Sequence, residues 1–440
     1  MESTYDVIIV GGRPAGAGLA VRLAEQGRRV LLVDRARFPS LPTVPSAPAL
    51  HMGTLALLDE IGVPESAYAA GAQRFEDYVV RFGTWFDTHI RVPEVHGRAY
   101  ALYIERPVFD LSVWERAGTF PTVERRQGFS VEGLLRDDAG RVVGVEGHAA
   151  GGERERIRAR WVVGADGRFS AVARLAGAAM RENHDTKAST VYFAEWDGVA
   201  PRAPGLPREF EVYTDARGTD ILFFPLPDGR TCVTLHQRAD RVDIGGDAEA
   251  YYRKVVATYP WFAERFAGAR ITSRLLGLKK IGNGYRAASG PGWALVGDAL
   301  HFKDPVDGQG IYDALLTGKI LAEELGAALD AGRDALPAYG PRVDEATRPM
   351  FAATLGRLAT ELYGPPPNAV VATVLRWLLT DPAYKDRLLR FLCRDPAVDP
   401  RRWRPPGFVL GCLARGIGRD LARLFGRRAL PGPETATKGS

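Results

Sequence analysis

The segment YDVIIVGGRPAG, residues 5–16, decides the fold of the N-terminal part of this chain. Its first six residues form a short apolar run that is typical of a buried strand, and the glycines that follow predict a tight turn. An apolar-periodic helix then ends near Gly27, and a second apolar strand ends at Asp34. This order predicts a βαβ unit that binds the phosphates of a dinucleotide.

Each position of the turn has a physical reason. Gly11 permits the tight turn, and Gly16 lets the helix approach the strand closely. Pro14 is tolerated in the first helical turn because it lacks only an N–H that would have no partner there. The helix start at Ala15 offers free N–H groups and a partial positive charge to a pyrophosphate. Asp34 can accept hydrogen bonds from a ribose.

Arg13 departs from the pattern G-x-G-x-x-G, because it replaces the middle glycine. We expect the backbone to approach the phosphates less freely there, and the guanidinium to compensate by binding a phosphate. A lone, imperfect pattern of this kind also fits a glycine-rich turn in an α/β protein that binds no nucleotide. The placement of strand, helix and Asp34 favours the dinucleotide.

Length and composition indicate a globular chain. The 440 residues are 46% hydrophobic and 25% charged, and are enough for two or three domains. No uninterrupted apolar run reaches about 18 residues, and no basic segment precedes the first apolar stretch. We therefore expect a cytoplasmic protein with no stable membrane insertion.

Cysteine and histidine usage predicts neither disulfide nor metal chemistry. Cys232, Cys393 and Cys412 are widely spaced, and the seven histidines lack the spacing of metal ligands. We expect no bound metal ion.

The net charge of +5 is a property of the C-terminus. Residues 401–440 carry eight Arg, one Lys, one Asp and one Glu, a net charge of +7, so the other 400 residues sum to −2. The body of the chain therefore has no basic footprint for nucleic acid, and we expect no nucleic-acid partner.

The last predicted helix has two unlike faces. Leucine and isoleucine share one face, and arginine the opposite face. We interpret it as a helix that packs its apolar face on the protein and leaves its basic face in solvent; a membrane-surface or partner-binding role is the alternative. The apolar positions are Leu410, Leu413, Ile417, Leu421 and Leu424, and the basic ones are Arg415, Arg419 and Arg423.

Two later segments resemble motifs of one family. Residues 161–167 (WVVGADG) with Ser170 resemble its "DG" motif. Residues 294–298 (ALVGD), followed by Pro305 and the GQG sequence at 308–310, resemble its "GD" motif. With the N-terminal turn, these segments resemble FAD-dependent monooxygenases of the para-hydroxybenzoate hydroxylase type, which share a fold with flavin halogenases and geranylgeranyl reductases.

The resemblance implies FAD as the cofactor. Asp166 would lie near the pyrophosphate, Asp298 would bind ribityl hydroxyls, and the helix start at Ile311 would point its positive end at the flavin. Arg106 matches the arginine of the family's R-x-x-L-D segment. The implied FAD-binding residues are Gly11, Arg13, Pro14, Ala15, Gly16, Asp34, Arg35, Arg106, Asp166, Gly297, Asp298, Pro305, Gly308, Gln309, Gly310 and Ile311.

The fold that the resemblance implies is α/β (α+β). A Rossmann-like FAD-binding domain (1–75, 105–185 and 285–335) would carry an inserted mixed β-sheet domain for the substrate (76–104 and 186–284). Residues 336–440 would form a C-terminal helical extension.

The reaction implied is a monooxygenation, in which reduced flavin and O2 hydroxylate or epoxidise a small hydrophobic metabolite of aromatic or polyketide-like character. An FAD-dependent dehydrogenase or reductase stays open as the alternative. A flavin halogenase is disfavoured, because the first lysine is Lys187 and the W-x-W-x-I-P segment of halogenases is missing.

The chain has no second dinucleotide-binding pattern. NAD(P)H is therefore expected to visit as a transient electron donor, with a separate reductase as the alternative. A homodimer stays open as well.

The middle of the chain supplies candidates for the substrate pocket and for catalysis. Aromatic side chains suit an apolar substrate, and histidines could orient a phenol or pass a proton. The pocket candidates are His51, Trp196, Tyr213, Phe223, Phe224 and His236, and the catalytic candidates at the flavin edge are His301 and Pro305.

Overall fold

The structure is a computed structural model that describes residues 5–44, 46, 48–69, 74–206 and 208–425, apart from the side chains at 260 and 261. The N-terminal third alternates strands and helices. Its elements are β1 (Tyr5–Val10), α1 (Pro14–Glu25), β2 (Val30–Asp34), β3 (Ala49–Leu50), α2 (Met52–Glu60), β4 (Arg74–Phe75), β5 (Asp77–Phe82), β6 (Phe86–Arg91), β7 (Ala101–Tyr103), α3 (Arg106–Ala117), β8 (Val123–Gln127), β9 (Phe129–Arg136), β10 (Val142–Ala149), β11 (Glu155–Gly164) and α4 (Ala171–Ala176).

The middle of the chain is mostly strand, and the end is helical. The middle elements are β12 (Met180–Asp197), β13 (Phe210–Thr214), β14 (Thr219–Pro225), β15 (Thr231–Arg238), α5 (Ala248–Ala257), α6 (Pro260–Ala263), β16 (Arg270–Ile271), β17 (Leu276–Arg286), β18 (Ser289–Gly290), β19 (Trp293–Leu295), β20 (His301–Phe302) and α7 (Gly310–Asp330). The last four helices are α8 (Tyr339–Arg357), which continues as a π-helical turn at Leu358–Leu362, α9 (Ala369–Leu379), α10 (Pro382–Leu392) and α11 (Pro406–Leu424).

The first sheet contains the predicted βαβ unit. Its main path runs β18-β19-β11-β1-β2-β8, and β1 pairs in parallel with both β2 and β11. Almost all side chains of β1 and β2 are apolar and buried, as expected of parallel strands that are covered on both faces. In the sheet, β2 lies on one side of β1, and β11 with the next strand β19 lies on the other side. The carboxyl ends of β1 and β11 therefore form the topological switch point at which ligands bind in such sheets.

The second sheet is mixed and has two differently covered faces. Its path is β20-β17-β12-β15-β14-β13-β5-β6, antiparallel except for the parallel pair β13 and β5. One face packs against α5 and α6, and the other forms an apolar cluster with Met52 and with Leu389 of α10. We call these the outer and inner faces. This architecture confirms the predicted fold class: a Rossmann-like sheet, a mixed sheet and a helical C-terminal region.

The proposed domain limits remain an interpretation. Strand β20, which lies inside the segment assigned to the FAD-binding domain, pairs with β17 of the second sheet. The segment between β19 and β20, residues 296–300, therefore joins the two sheets directly, and the loop that follows β20 leads to α7.

The orientation of α11 differs from the prediction. Its buried positions are Cys412 and Gly416, while Leu410, Ile417, Leu421 and Leu424 of the apolar face are exposed and Leu413 is half-buried. Arg415 and Arg419, predicted to face solvent, form ion pairs with the fully buried Asp381 at the start of α10. Because a buried carboxylate requires cationic partners, this pairing turns the leucine face outward.

Among the described helices, none combines the length and the apolar character needed to span a bilayer.

Candidate active site

The turn after β1 accepts only glycine at two positions. Gly11 has a φ of 108°, in the region that favours glycine, and a Cβ there would overlap the carbonyl oxygen of Ala165. A Cβ at Gly16 would overlap the carbonyl oxygen of Gly11. The two glycines thus allow the turn, α1 and the end of β11 to come together.

The N-terminus of α1 has no capping side chain. Pro14 is its first residue, no acidic residue lies in its first turn, and Ala15 and Gly16 are buried. A buried helix start without a cap leaves N–H groups that need a partner, and an anionic ligand provides one.

Asp34 lies at the end of β2 beside this turn. Its two carboxylate oxygens accept hydrogen bonds of 2.7 Å from the backbone N–H groups of Gly12 and Ala36. These bonds orient the carboxylate, and each oxygen keeps a lone pair for a hydroxyl. This geometry fits the ribose role that the sequence predicts.

Arg13 binds protein groups and not the predicted phosphate position. Its guanidinium pairs with Asp110, donates to the hydroxyl of Ser40 at 3.1 Å and donates to the carbonyl of Leu41 at 3.0 Å. Arg106 also pairs with Asp110, whose side chain is fully buried. The two arginines therefore share one carboxylate and tie down the loop after β2, so the predicted phosphate contact of Arg13 is not what the structure shows.

Asp166 shapes its own loop. Its carboxylate accepts hydrogen bonds from the hydroxyl of Ser170 and from the N–H groups of Ala171 and Val172 at the start of α4. Burial raises its pKa, and these hydrogen bonds oppose that rise. The side chain thus caps α4, and its place near the pyrophosphate stays a prediction. Arg35 is exposed.

Asp298 has the character of a ligand-binding carboxylate. It follows β19, and burial raises its pKa, against the opposing charge of Arg168. Within the described residues its carboxylate accepts no hydrogen bond. The side chain is half-buried, so its oxygens stay accessible to a ligand, and the ribityl hydroxyls of a flavin would supply hydrogen-bond donors.

The start of α7 is open and uncapped. Gly308 has a φ of 64°, and a Cβ at Gly308 or Gly310 would meet no heavy atom within 4 Å. Gln309 makes no side-chain cap; its amide group instead contacts the carbonyl of Leu392 at 2.9 Å. The first N–H groups of the 21-residue helix, near Ile311, therefore have no side-chain cap. The positive end of the helix points into open space.

These features fit an FAD. Two helix starts without caps and two orienting carboxylates, Asp34 and Asp298, match the phosphates, ribose and ribityl chain of that cofactor.

A buried charge cluster lies behind the first turn of α7. Asp313 contacts Lys303 at 2.7 Å and Arg394 at 3.0 Å, and His301 at 3.4 Å. Burial would raise the pKa of Asp313, but Lys303 and the other positive groups hold it well below its usual range. Arg394 also donates to the amide oxygen of Gln309 at 2.8 Å, so a residue after α10 fixes the start of α7.

The prediction that His301 is catalytic is wrong, because its ring is packed inside the protein. The ring is 2% exposed and stacks on Tyr285, with ring centroids 4.5 Å apart, and Phe351 covers another edge. This packing is that of a structural histidine, and we no longer expect His301 to reach a substrate. Pro305 begins the short turn Pro305–Asp307 before Gly308, where its flavin-edge role stays a prediction.

His51 lies at the start of α2, with its ring 6.0 Å from that of Tyr312. Both ring nitrogens are shielded from solvent and have no hydrogen-bond partner in the described part of the protein. Burial, reinforced by the charge of Arg394, lowers its pKa to about 3. The imidazole is therefore neutral near pH 7.

A second buried network joins the second sheet to the loop before α7. His236 of β15 lies 3.0 Å from Asp304 and 3.5 Å from Asp220, and Ser189 of β12 donates to Asp304. The side-chain oxygen of Asn283 accepts the N–H of Asp304 at 2.6 Å. Burial alone would lower the pKa of His236, but the two carboxylates raise it to about 10. The imidazolium thus anchors the loop before α7 to the second sheet.

The aromatic pocket candidates divide between the two faces of that sheet. Phe224 belongs to the inner cluster, whereas Trp196, Tyr213 and Phe223 belong to the outer cluster beneath α5 and α6. Neighbouring residues of a strand point to opposite faces, so Phe223 and Phe224 could not both line one pocket. The pocket prediction is therefore wrong for the three outer residues.

Several site residues escaped sequence reasoning. Ser189, Asn283 and Arg394 lie far along the chain from the loop that they contact, and Asp220 acts on that loop only through His236. Only the sequence KDP at 303–305 gave a signal, because it places two charges directly before a flavin-facing turn.

Comparison with known proteins agrees with this geometry. A family model described as FAD binding domain matches residues 4–353. The chain belongs to the FAD binding domain family. The relationship to FAD-dependent monooxygenases that the motifs indicated is confirmed, and the protein is a member of a flavin-dependent oxidoreductase family.

The relatives that resemble this chain are named for different reactions. It is 29% identical over 413 residues to the 6-methylpretetramide 4-monooxygenase of Streptomyces rimosus, covering 90% of this chain and 94% of the relative. It is 27% identical over 396 residues to the digeranylgeranylglycerophospholipid reductase of Methanospirillum hungatei, covering 87% and 92%. A solved flavoprotein/dehydrogenase from Cytophaga hutchinsonii shares the fold with a TM-score of 0.76 at 18% identity, over 95% of this chain and 99% of that one. Brominases are also among the similar proteins.

Proposed function

We propose that this protein is an FAD-dependent monooxygenase that hydroxylates or epoxidises a small hydrophobic substrate of aromatic or polyketide-like character. The observation that carries the proposal is the inner face of the second sheet. At the end near the flavin-facing turn it presents the anchored His236, and farther along it presents Phe193, Leu222 and Phe224 beside Phe210. An apolar surface with a polar end next to the cofactor site suits such a substrate.

The residues that would hold the cofactor are those with unfilled hydrogen-bonding capacity. The uncapped start of α1 would take the pyrophosphate, Asp34 the ribose and Asp298 the ribityl chain. When bound, reduced FAD would supply the electrons that activate O2 and would deliver one oxygen atom to the substrate.

The chain itself would stabilise charge and limit water. The positive end of α7, with Gly308 and Gly310 open beside it, would stabilise negative charge on the reduced cofactor. The closed cluster of Lys303, Asp313 and Arg394 keeps this end of the helix rigid.

His51 is the candidate for handling a proton. Its ring is neutral because its pKa is lowered to about 3, and its nitrogens have unused hydrogen-bonding capacity among the described residues. We propose that His51 accepts a hydrogen bond from a hydroxyl of the substrate and orients it.

A reductase or dehydrogenase is the second candidate function. The observation that favours it is the set of relatives named as reductases, which match most of this chain. Such a reaction would use the same cofactor-binding residues and would need no O2.

The test begins with a compound screen read by the absorption of bound flavin. Hits are then incubated with NADPH or NADH, labelled O2 and the purified holoenzyme. Oxidation of NADPH or NADH that depends on the substrate, together with labelled oxygen in the product, supports the monooxygenase. Turnover in the absence of O2, with no new oxygen in the product, overturns it in favour of the reductase.

The role of His51 needs a matched comparison. His51→Asn is expected to lower kcat/KM about a hundred-fold for substrates that carry a hydroxyl, with FAD binding unchanged. The control is His184→Asn, since His184 is an exposed histidine of β12. Equal activity of the two variants would remove His51 from the proposal.

A further inference from the structure

Most of the apolar face of helix α11 points into solvent. Side chains of Leu410, Ile417, Leu421 and Leu424, which we call the apolar stripe, are 65%, 44%, 48% and 79% exposed. Their spacing of seven, four and three residues places them on one side of the helix. An exposed line of aliphatic side chains of this length requires an apolar environment that the described part of the chain does not provide.

The helix is held in this orientation by buried polar contacts. Arg415 and Arg419 bind the buried Asp381, and Gly416 lets α11 approach the indole of Trp377. Asp420 accepts hydrogen bonds from Trp377 at 2.7 Å and from Arg376 at 2.6 Å. Rotating α11 to bury the stripe would break every one of these contacts, so the outward orientation is a stable feature of the fold.

The neighbouring helix α9 extends the apolar surface. It packs against α11, and its Val370 and Val371 are 72% and 46% exposed. Only Ala372 among its eleven residues is fully buried. Two adjacent helices therefore present aliphatic side chains on the same part of the molecule.

The charges at this end of the chain are mostly positive, although Arg401 pairs with Glu345 of α8 and Arg423 lies 3.9 Å from Asp420. Asp420 is the sole acidic residue in the sequence 401–425, and it is occupied by Arg376 and Trp377. Arg402 and Arg404 are exposed and have no acidic partner among the described residues, and the side chain of Arg423 is 74% exposed. A second copy of this chain would bring two basic rims together, which is unfavourable, whereas an anionic surface complements them.

We propose that α9 and α11 form a docking surface for anionic lipid bilayers, with the apolar stripe inserted at the level of the headgroups and the arginines bound to lipid phosphates. Helix α11 has 19 residues and lies along the surface, as interfacial amphipathic helices do. The proposal is independent of the proposed function, because it concerns binding to lipid and not the reaction.

The surface is connected to the candidate active site by one helix. Asp381 at the start of α10 holds α11, and Arg394 just after α10 holds Gln309 and Asp313 at the start of α7. A hydrophobic substrate dissolved in the bilayer would therefore lie one short helix away from the flavin-facing turn.

Co-sedimentation of the full-length holoenzyme with vesicles tests the proposal. One set of vesicles contains phosphatidylcholine alone, and the other contains an equimolar mixture of phosphatidylcholine and phosphatidylglycerol. We expect binding to the anionic vesicles that weakens as salt is added, and at least ten-fold weaker binding to the neutral ones.

Two variants separate the apolar and the charged contributions. Replacing the four stripe residues by Gln should lower binding at least about a hundred-fold. Changing Arg402, Arg404 and Arg423 to Gln should lower it about five-fold for each arginine, on anionic vesicles only. The control is Trp85→Gln, which removes a side chain of similar exposure, 47%, from the turn between β5 and β6.

Light scattering on the same samples distinguishes the alternatives. Absence of vesicle binding in the unmodified protein overturns the proposal. Self-association of the unmodified protein that is lost when the stripe residues are replaced also overturns the proposal. Such a result would mean that a second copy of the chain, and not a bilayer, covers the apolar stripe. FAD content should be the same in all variants, and a loss of FAD in the stripe variant would show that the fold was damaged; the arginine variant then decides the question.

Discussion

The Nε2 atom of His236 lies 3.0 Å from a carboxylate oxygen of Asp304, and this contact joins the second sheet to the loop that precedes α7. Asp220 approaches the other ring nitrogen at 3.5 Å. The imidazole is thus held between two carboxylates and carries a positive charge inside the protein. The loop with Pro305 and Gly308 depends on this charge for its position.

The first prediction concerns the pH dependence of stability. The pKa of His236 is raised to about 10 in the folded chain, against about 6.5 in an unfolded chain. Because the folded value is the higher one, its stabilisation is complete below pH of about 6.5 and is lost as pH rises toward about 10. His236→Asn should cost about 3 kcal/mol of unfolding free energy at the lower pH and clearly less at the higher pH. Urea unfolding at both pH values measures this difference, and a cost that does not change with pH would contradict the charged state of His236.

The second prediction concerns the carboxylate of Asp298. Asp298→Ala removes the acceptor that we assign to the ribityl chain and should raise the Kd for FAD about ten- to a hundred-fold. Fluorescence titration of the apoprotein with FAD measures the Kd. Asp330→Ala, at the far end of α7 in an exposed ion pair with Arg28, is the control and should leave it unchanged. Equal Kd values for the two variants would refute the ribityl role.

The third prediction concerns the glycine turn. Gly16→Ala places a methyl group against the carbonyl oxygen of Gly11 and should destabilise the fold by about 3 kcal/mol, with loss of FAD binding. Gly356→Ala is the matched change within α8, where a Cβ meets no atom within 4 Å. It should stabilise the protein by up to about 1 kcal/mol, because alanine favours a helix. Thermal unfolding compares the two, and a tolerated Gly16→Ala would mean that the turn is looser than we describe.

The fourth prediction concerns Arg394, which links the C-terminal helices to the start of α7. Arg394→Ala leaves Asp313 with fewer cationic partners and should cost about 3 kcal/mol, together with weaker FAD binding. Added guanidinium at low concentration should restore part of the FAD affinity. Arg253→Ala breaks an exposed pair with Glu249 and should cost at most about 0.5 kcal/mol. An unchanged Kd for FAD in the alanine variant would show that Arg394 does not position the start of α7.

Local sequence signals predicted the cofactor end of the site well. The run at residues 5–16 gives β1, the turn and the start of α1, because glycine and proline constrain the backbone through their own chemistry. Asp34, the last residue of β2, followed from the same βαβ pattern, whereas Asp298, three residues after β19, was indicated by the GD motif of the family that the chain resembles.

Contacts between distant segments were not predictable in this way. Arg13 matched a phosphate-binding position, yet in the fold Asp110 takes its guanidinium. His301 lies close to the GD motif, yet Tyr285 and Phe351 enclose it. In both cases the deciding partner lies on another element, and nothing near the residue in sequence announces it.

The sequence by itself determined the strand, turn and helix start at residues 5–16, through the placement of glycine and proline and the period of apolar residues, and its three motifs indicated the family by resemblance. The tertiary structure decided which face each side chain occupies. It placed Phe224 inward and Phe223 outward, and it turned leucines of α11 to the surface because the buried Asp381 binds Arg415 and Arg419 on the side of α11 that faces α10. A buried carboxylate demands its cationic partners more strongly than aliphatic side chains demand burial, and only the folded chain shows where that carboxylate lies.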